Sequence, residues 1–238
     1  MEVHERKRFL YALLFPALFV ALLWLIKGVE LQFDLSFGKW GILPRNFMGL
    51  RGVLFSPLIH GDIKHLFNNS VPLLILGWAL FYFYRSLAFR VVFWTYLLSG
   101  LYTWISARTN YHIGASGLVY SLFGFIFISG FLRRYTPLIS ISFLVAFLYG
   151  SLVWGILPWD EGVSFEGHFW GLFIGLVLAV FYRKKGPQRK KYSWELEAEY
   201  EEEEAEIEAE DQGYLDKEAV KYIYHYVSKK DPDEEGKT

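Results

Sequence analysis

Long apolar runs with almost no charged side chains constrain this chain more than any other feature of its sequence. The first run covers residues 9–26, and comparable runs recur as far as residue 182. A helix needs about 20 mostly apolar residues to cross a bilayer, and backbone amides inside the bilayer must find partners within the protein. Since 53% of the 238 residues are hydrophobic and 20% are aromatic, the sequence predicts an all-α polytopic membrane protein rather than a soluble domain.

Six runs of this kind divide the sequence, and we predict a bundle of six transmembrane helices over residues 9–182. The runs cover residues 9–26, 65–84, 91–105, 116–133, 137–157 and 165–182. The remaining parts are a basic N-terminus (1–8), a basic juxtamembrane segment (183–191) and an acidic cytoplasmic tail (192–238). Because like charges repel and few apolar residues can pack, we expect the tail to be solvated and partly disordered. The alternative is that Tyr222–Tyr226 binds a cytoplasmic partner.

The flanking charges predict the orientation of the spans. Arg and Lys are enriched before the first span, between spans two and three, between spans four and five, and after the sixth. By the positive-inside rule, both termini then lie in the cytoplasm, and we expect a protein of the cytoplasmic membrane. Loop one (residues 27–59) carries basic residues on the outer side, but long loops follow the rule weakly. We expect this loop to be ordered at the interface, with Trp40 and Phe47 as anchors.

Composition excludes some sites and gives no support to others. The chain has no cysteine, which excludes disulfides and thiolate metal sites. The net charge of −1 sums a basic region and an acidic tail, so nothing indicates binding to nucleic acid.

The sequence also lacks a clear metal site. No carboxylate accompanies His60, His65 and His168 at the spacing of helical zinc motifs, and we expect no metal or cofactor. The glycosylation sequence Asn68-Asn69-Ser70 lies inside a predicted span and would be inaccessible.

Polar residues cluster where spans two, four and six begin. His65 and Asn69 lie at the start of span two, Ser116 opens span four, and His168 lies near the start of span six. With the predicted orientation, all four enter from the outer face and lie only a few residues deep, at about 1.5 Å per residue. Because polar groups in a membrane are costly, this pattern favours a functional site that opens to the outer side and admits water.

Ser116 is a candidate nucleophile in this cluster. A serine hydroxyl attacks weakly unless a base removes its proton, and His168 is the candidate base. Gly117 in span four, with Gly171 and Gly175 in span six, clears helix faces so that the two spans can approach closely. Such packing would bring the imidazole to the hydroxyl. The alternative is that the glycines serve packing alone and that the histidine satisfies a backbone carbonyl.

Residues one helical turn apart extend this set. Tyr120 lies four residues after Ser116, so its ring could stack on the imidazole of His168, unless it only fills space. His65 and Asn69 also stand four apart, and both can donate hydrogen bonds to the oxyanion of a tetrahedral intermediate. The alternative for this pair is hydrogen bonding between helices.

Four neighbouring residues have expected supporting roles. His60 precedes span two and is expected to support His65, while Asp62 is expected to cap the helix N-terminus. Gly114 and Ala115 are expected to leave room for a substrate backbone beside the nucleophile.

The motifs, taken in order, resemble those of rhomboid intramembrane serine proteases. They are G-x-S-G at Gly114–Gly117, H-x-x-x-N at His65 and Asn69, G-H-x-x-G-x-x-x-G at Gly167–Gly175, and the tyrosine four residues after the serine, Tyr120. The resemblance covers residues 9–182, in the basic six-helix bacterial form, and does not include the acidic tail. Loop one departs from the family pattern, because Arg51-Gly52 occupies the region where many members carry Trp-Arg.

The resemblance implies an intramembrane serine endopeptidase. Ser116 would attack the peptide carbonyl, and His168 would act as general base and then as general acid, without a third acidic residue. His65, Asn69 and the backbone amide of Ser116 would form the oxyanion hole. The substrates would be transmembrane proteins in the lipid bilayer, entering past span five and cut within or beside a membrane segment, with small residues favoured at the cut.

Two other classes of protein remain as alternatives. Some rhomboid-like relatives bind and escort membrane clients without catalysis, but they typically lack the serine or the histidine, and this chain keeps both. A small transporter would carry polar residues deep in its spans, whereas here they lie at the outer ends.

Overall fold

The structure, a computed structural model, describes residues 3–159, 162–189 and 193–219. Its α-helices are α1 (Val3–Gln32), α2 (Gly52–Phe55), α3 (Ile63–Phe83), α4 (Ala88–Ser106), α5 (Ser116–Arg133), α6 (Thr136–Tyr149), α7 (Phe165–Phe181) and α8 (Ser193–Ala219). Short 3₁₀ segments cover Gly38–Trp40, Phe47–Arg51, Ser56–Leu58 and Gly150–Ile156. Within the described ranges the regular structure is thus helical, apart from one isolated antiparallel bridge between Ile42 and His112.

The chain forms two compact units, Met1–Arg189 and Lys190–Thr238. In the second unit, α8 carries the dense glutamate run of the acidic tail. The candidate partner segment Tyr222–Tyr226 lies outside the described residues, and so do Asp160 and Glu161 of the loop before α7.

Several helices of the first unit suit a membrane. Four segments of the described chain are long and apolar enough to cross one by length and composition: His4–Gln32, Ile63–Phe83, Ser116–Arg133 and Thr136–Ile156. The last segment joins α6 to the 3₁₀ segment that follows it, so the fifth predicted span is not one continuous α-helix. The helix α7 is apolar but has only 17 residues. The predicted number of six spans therefore stays a prediction.

Helix α5 lies at the centre of the first unit. Of its apolar window, 72% is buried inside the protein, against 11% for the segment that contains α6. The buried face of α5 includes Val119, Leu122 and Ile126. Since α5 begins at Ser116, the most enclosed helix of the fold positions the candidate nucleophile.

The helices α5 and α7 pack at backbone distance. A Cβ on Gly171 would overlap the carbonyl oxygen of Gly117, and a Cβ on Gly175 would overlap that of Ser121. The Ser121 hydroxyl also donates to the Gly171 carbonyl at 2.8 Å. The close approach predicted from the glycine spacing is therefore present.

Loop one begins later than the sequence suggested. The helix α1 continues to Gln32, six residues beyond the predicted end at Ile26, because Lys27 and Glu30 form a buried ion pair at 3.1 Å. The Lys27 ammonium also donates to the carbonyls of His60 and Gly61, at 3.0 and 3.1 Å. This first turn of the predicted loop is thus helical, and its basic residue is not a surface charge.

The rest of loop one is ordered by local turns, by backbone hydrogen bonds to residues 104–112, and by contacts of the Trp40 ring. The guanidinium carbon of Arg51 lies 4.5 Å above the ring of Trp40, and its side chain donates to the Lys39 carbonyl at 3.2 Å. Trp40 and Phe47 are both exposed, the latter by 88%. Their expected role as interfacial anchors stays a prediction.

Two arginines show which helix ends lie together. Arg8 in α1 donates to the Tyr82 carbonyl at the end of α3, and Arg133 at the end of α5 donates to the Tyr182 carbonyl after α7. The start of α1 thus lies beside the end of α3, and the end of α5 lies beside the end of α7. The Arg133 guanidinium carbon also lies 5.3 Å from the ring centre of Tyr84, just after α3, so these ends lie together. The first turns of α3, α5 and α7 therefore lie at the opposite end of the bundle.

Candidate active site

Ser116 and His168 meet where α5 and α7 begin. Ser116 is the first residue of α5, and His168 lies in the first turn of α7. The Nε2 atom of His168 is 2.8 Å from the Oγ atom of Ser116. This is hydrogen-bond distance for a hydroxyl and an imidazole, and both residues are half-buried.

The second imidazole nitrogen fixes the tautomer of His168. Its Nδ1 atom lies 2.8 Å from the carbonyl oxygen of Gly155. A carbonyl oxygen only accepts hydrogen bonds, so the neutral ring carries its proton on Nδ1. The Nε2 lone pair then accepts the hydrogen bond from the Ser116 hydroxyl, which is the arrangement that a base requires.

Tyr120 stacks on His168. The two ring centroids are 4.2 Å apart and the ring planes differ by 10°. Tyr120 is buried, with 4% of its surface exposed, so it leaves the imidazole little freedom to rotate.

His65 and Asn69 face the backbone just before the serine. An added Cβ on Gly114 would lie 2.6 Å from His65 Nε2 and 3.5 Å from Asn69 Nδ2. The Nδ2 atom of Asn69 is buried and has no hydrogen-bond partner among the described residues. A buried donor without an acceptor costs free energy, so it is available to a bound oxygen atom. The first-turn amides of Ser116 and Gly117 likewise have no acceptor within α5.

The expected roles of Gly114 and Ala115 need correction. Gly114 has a φ of 107°, which an L side chain rarely adopts, and its amide donates to the Ser56 carbonyl at 2.8 Å. The missing side chain makes room for His65 rather than for a substrate backbone. Ala115 is fully buried, so it does not face a substrate either.

His60 lies behind His65. The ring centroids of the two histidines are 5.1 Å apart, and His60 Nε2 is 3.4 Å from the Ala115 amide, which donates to it. His60 is 2% exposed. Burial, reinforced by the neighbouring His65 and Lys27, lowers the pKa of His60 to about 4. The ring is therefore neutral near pH 7 and accepts the amide hydrogen bond.

Asp62 caps α3, as predicted. Its carboxylate accepts the backbone amide of His65 at 2.8 Å. This hydrogen bond stabilises the ionised form and lowers the pKa of Asp62. The cap fixes the first turn of the helix that presents His65 and Asn69.

Two residues that the sequence analysis did not single out, His112 and Ser164, connect the loops around the site. His112 Nδ1 lies 2.6 Å from Ser164 Oγ, and His112 Nε2 lies 3.0 Å from the carbonyl of Arg108. Because that carbonyl requires a donor, Nε2 carries the proton and Nδ1 accepts from the Ser164 hydroxyl. Ser164 precedes α7, and its carbonyl accepts the backbone amide of His168 at 3.2 Å. The pair thus ties the loop before Ser116 to the start of α7.

A cavity of about 620 Å³ connects these groups. Its lining includes Ser116 and His168, the donors His65 and Asn69, and Leu152 of the 3₁₀ segment after α6. In the part of the chain that the structure describes, no three His, Asp or Glu side chains group so that they could hold a metal ion. The arrangement offers a nucleophile, a base and donors beside one another in a cavity large enough for several residues of a peptide.

Comparisons with known proteins agree with one another. A family model described as the Rhomboid domain matches residues 48–185. An uncharacterised protein of Mycobacterium tuberculosis is 36% identical over 183 residues, which cover 72% of this chain and 75% of that protein. An uncharacterised protein of Mycobacterium leprae is 31% identical over 199 residues, covering 79% and 78%. The RHOMBOID-like protein 4 of Arabidopsis thaliana is 28% identical over 144 residues, covering 57% and 34%. Together with the apolar helices, the domain match shows a multi-pass membrane protein.

Proposed function

This chain belongs to the rhomboid family, and from that premise we propose that it is an intramembrane serine endopeptidase with Ser116 as nucleophile and His168 as base. The observation that carries the proposal is the 2.8 Å contact between Ser116 Oγ and His168 Nε2, with the imidazole proton held on Nδ1 by a backbone carbonyl. A serine hydrogen-bonded in this way can lose its proton as it attacks. The relatives described above carry no described activity, so the support for this reaction is the geometry of the site.

The reaction proceeds through an acyl-enzyme. As Ser116 Oγ forms a bond to the peptide carbonyl carbon, His168 Nε2 takes the hydroxyl proton, and the carbonyl oxygen becomes an oxyanion. The imidazolium then gives this proton to the departing amine nitrogen, and the C–N bond breaks. Water repeats the sequence on the ester, with His168 again as base, and releases Ser116 and a carboxylic acid.

The oxyanion is stabilised by donors that are already in place. His65 and Asn69 face the turn before Ser116, and the free first-turn amides of α5 supply backbone donors. Loss of one such donor typically reduces the rate by about 10²–10³-fold. The unpartnered Nδ2 of Asn69 favours this role over simple hydrogen bonding between helices, because it has no helix partner among the described residues.

The substrates are transmembrane proteins whose membrane segment approaches along α6. This helix is the least enclosed of the apolar segments, and the 3₁₀ segment after it borders the cavity at Leu152. The basic residues Arg8 and Arg133 gather at the end of the bundle away from Ser116. By the positive-inside rule, that end and both termini face the cytoplasm of a cytoplasmic membrane, and the cavity opens to the outer side.

Cleavage of a transmembrane test substrate in liposomes tests the proposal. Ser116→Ala and His168→Ala should each abolish cleavage and labelling by a fluorophosphonate, while the proteins keep the wild-type unfolding midpoint to within a few degrees. Ser86→Ala is the matched control, because this exposed serine lies in the turn after α3, at the end of the bundle away from Ser116. It should cleave and label as the wild type does.

The outcomes separate a protease from a binding protein. Cleavage that persists in Ser116→Ala would rule the proposed mechanism out. A folded wild-type protein that neither labels nor cleaves, yet retains membrane clients, would identify an escort protein.

The orientation has its own test, since the chain contains no cysteine. Single cysteines at Thr109, in the loop before α5, and at Ser86, after α3, report on opposite ends of the bundle. In intact cells, a membrane-impermeant maleimide should label the cysteine at Thr109 and spare the one at Ser86. The reverse pattern would invert the proposed topology.

A further inference from the structure

We propose that Gly155 is the positioning residue of the catalytic pair, so that the exposed segment Gly150–Ile156 decides whether Ser116 has a working base. The catalytic part of this inference rests on the proposed function. The tautomer that it assigns to His168 does not, because it follows from the hydrogen bond alone.

The acceptor that holds the imidazole is a backbone carbonyl. The Gly155 carbonyl is 2.8 Å from His168 Nδ1. The nearby carboxylate Glu166 does not bond to the ring: its Oε1 atom accepts the Arg108 backbone amide at 3.1 Å and pairs with the Arg108 guanidinium at 3.5 Å, and its Oε2 atom has no hydrogen-bond partner among the described residues. A backbone carbonyl thus takes the position that a carboxylate holds in the triads of soluble serine proteases.

Loss of that acceptor would change which imidazole nitrogen carries the proton. In a neutral imidazole either nitrogen can carry the proton, and the partner of one nitrogen sets the state of the other. With no acceptor at Nδ1, the Nε2 tautomer becomes accessible and points a donor at the Ser116 hydroxyl. A nitrogen that already carries a proton cannot take the serine proton. In a soluble serine protease, an acceptor change that leaves the wrong tautomer lowers kcat by about 10⁴-fold.

The contact with His168 requires glycine at position 155. A Cβ on residue 155 would overlap the hydroxyl oxygen of Tyr120 and lie 3.2 Å from His168 Nδ1. Because Tyr120 is itself stacked on His168, no side chain fits between the segment and the two rings. The glycine lets the backbone come close enough for its carbonyl to reach the imidazole.

The segment that carries the Gly155 carbonyl is partly exposed. Trp154 and Val153 are 59% and 45% exposed, and only 11% of the apolar window in Thr136–Ile156 is buried. The contact with His168 therefore depends on a segment that has no fully buried residue and that packs on the core through the half-buried Leu152. A displacement of this segment from the bundle would break the hydrogen bond and leave the serine without its base.

The tautomer can be measured directly in the wild-type protein. Nitrogen NMR of selectively ¹⁵N-histidine-labelled protein, with the His168 signals assigned by their absence in His168→Gln, should show a proton on Nδ1 and an unprotonated Nε2 at neutral pH. A proton on Nε2 in the wild type would overturn the inference, whatever the activity of the protein. This measurement also decides the matter if the Gly155 variants do not fold.

The variants test the catalytic consequence. Gly155→Ala should lower the rate of fluorophosphonate labelling by about 10²–10⁴-fold and should shift the His168 proton away from Nδ1. Gly150→Ala is the matched control, because it lies in the same segment and an added Cβ there meets nothing within 4 Å. It should label at the wild-type rate.

A second substitution should restore what the first removes. In Gly155→Ala/Tyr120→Phe the hydroxyl that the new Cβ would overlap is gone, so labelling should recover by about 10-fold or more relative to Gly155→Ala, as expected for directly contacting residues. Wild-type labelling of folded Gly155→Ala would overturn the inference while leaving the protease proposal intact. An unlabelled wild type with the Nδ1 proton in place would instead remove the protease proposal and keep the positioning of the imidazole.

Discussion

Gly117 and Gly171 lie where the backbones of α5 and α7 touch, and a Cβ on Gly171 would overlap the Gly117 carbonyl. Ser116 is one residue before the first glycine, and His168 is three residues before the second. The register of this backbone contact therefore sets the 2.8 Å distance between the serine hydroxyl and the imidazole. The first turns of α5 and α7 thus make the packing contact and also carry the candidate catalytic residues.

Gly171→Ala should uncouple the two helices at this contact. The added methyl group has to push the backbones apart, which for overpacking typically costs about 1–3 kcal/mol in the free energy of unfolding. A shift of about 1 Å at the reacting atoms lowers the rate about 10²-fold. Denaturant unfolding in detergent, together with the rate of fluorophosphonate labelling, measures both effects.

The control for this prediction is Gly28→Ala in α1. An added Cβ there meets nothing within 4 Å, so the change should be neutral or stabilise the helix by up to about 1 kcal/mol. If Gly171→Ala behaves as this control does, the close backbone contact does not position the pair.

The sequence predicted those parts of the fold and site that rest on local pattern. Apolar runs located the long helices, glycines every fourth residue predicted the contact of α5 with α7, and an aspartate before an apolar run predicted the cap at Asp62. Each of these signals depends on residues within about two helical turns of one another, so each can be recognised in a short stretch of sequence.

The contacts that the sequence did not reveal depend on positions far apart in the chain. The Gly155 carbonyl belongs to the backbone, which every residue has. The residue types therefore do not indicate which carbonyl will contact the imidazole of His168, 13 residues later. Lys27 was interpreted as a loop charge because the His60 and Gly61 carbonyls that it binds lie more than 30 residues away. His112 carried no motif, and its partner Ser164 is 52 residues along the chain.

Removal of Lys27 should destabilise the protein through its partner. Lys27→Met leaves the Glu30 carboxylate, whose residue is 5% exposed, without its cation, and breaking a buried pair in this way costs about 3–5 kcal/mol. The substitution also leaves the His60 carbonyl, before α3, without the hydrogen bond from the Lys27 ammonium. The free energy of unfolding in detergent measures the loss.

Two comparisons make this prediction specific to the buried pair. Lys27→Met/Glu30→Gln removes the uncompensated charge but keeps an acceptor for the Phe37 amide, which Glu30 binds at 2.7 Å. The double variant should therefore recover most of the lost stability. Lys39→Met, which replaces an exposed lysine, should change stability by less than about 0.5 kcal/mol. Equal losses in the single and double variants would contradict the role of the pair.

Ser164→Ala should weaken the connection between the loop before Ser116 and the start of α7. The substitution leaves His112 Nδ1, on a residue that is 4% exposed, without its donor at 2.6 Å. A buried acceptor left unpaired costs about 1–3 kcal/mol. Since Ser164 also precedes the turn that holds His168, we expect cleavage to fall, whereas Ser86→Ala should keep the wild-type rate. Ser164→Thr keeps a hydroxyl and should restore both the stability and the cleavage rate. If Ser164→Ala is as stable as the wild type and Ser164→Thr does not restore cleavage, the hydrogen bond between His112 and Ser164 does not have this role.

Acid should destabilise the protein through His60. The pKa of His60 is about 4 in the folded protein, lowered mainly by burial, against 6.5 for an unperturbed histidine. The groups around it are His65, Lys27 and Asp62, and its Nε2 accepts the Ala115 amide. Between pH 6.5 and pH 4, His60 binds a proton in the unfolded chain but stays neutral in the folded protein. The stability contribution of neutral His60 is therefore complete above pH 6.5 and is lost as the pH falls toward 4.

The size of this effect follows from the shift of the pKa. A difference of one pKa unit corresponds to about 1.36 kcal/mol, so the His60 contribution to the fall in unfolding free energy reaches about 3 kcal/mol near pH 4. Unfolding of wild type and His60→Gln from neutral pH to about pH 4.5 isolates this contribution as the difference between the two slopes. His4→Gln, which replaces an exposed histidine, is the matched control and should keep the wild-type slope. A His60→Gln variant that loses stability with acid as steeply as the wild type would mean that the buried imidazole is not the group that acid titrates.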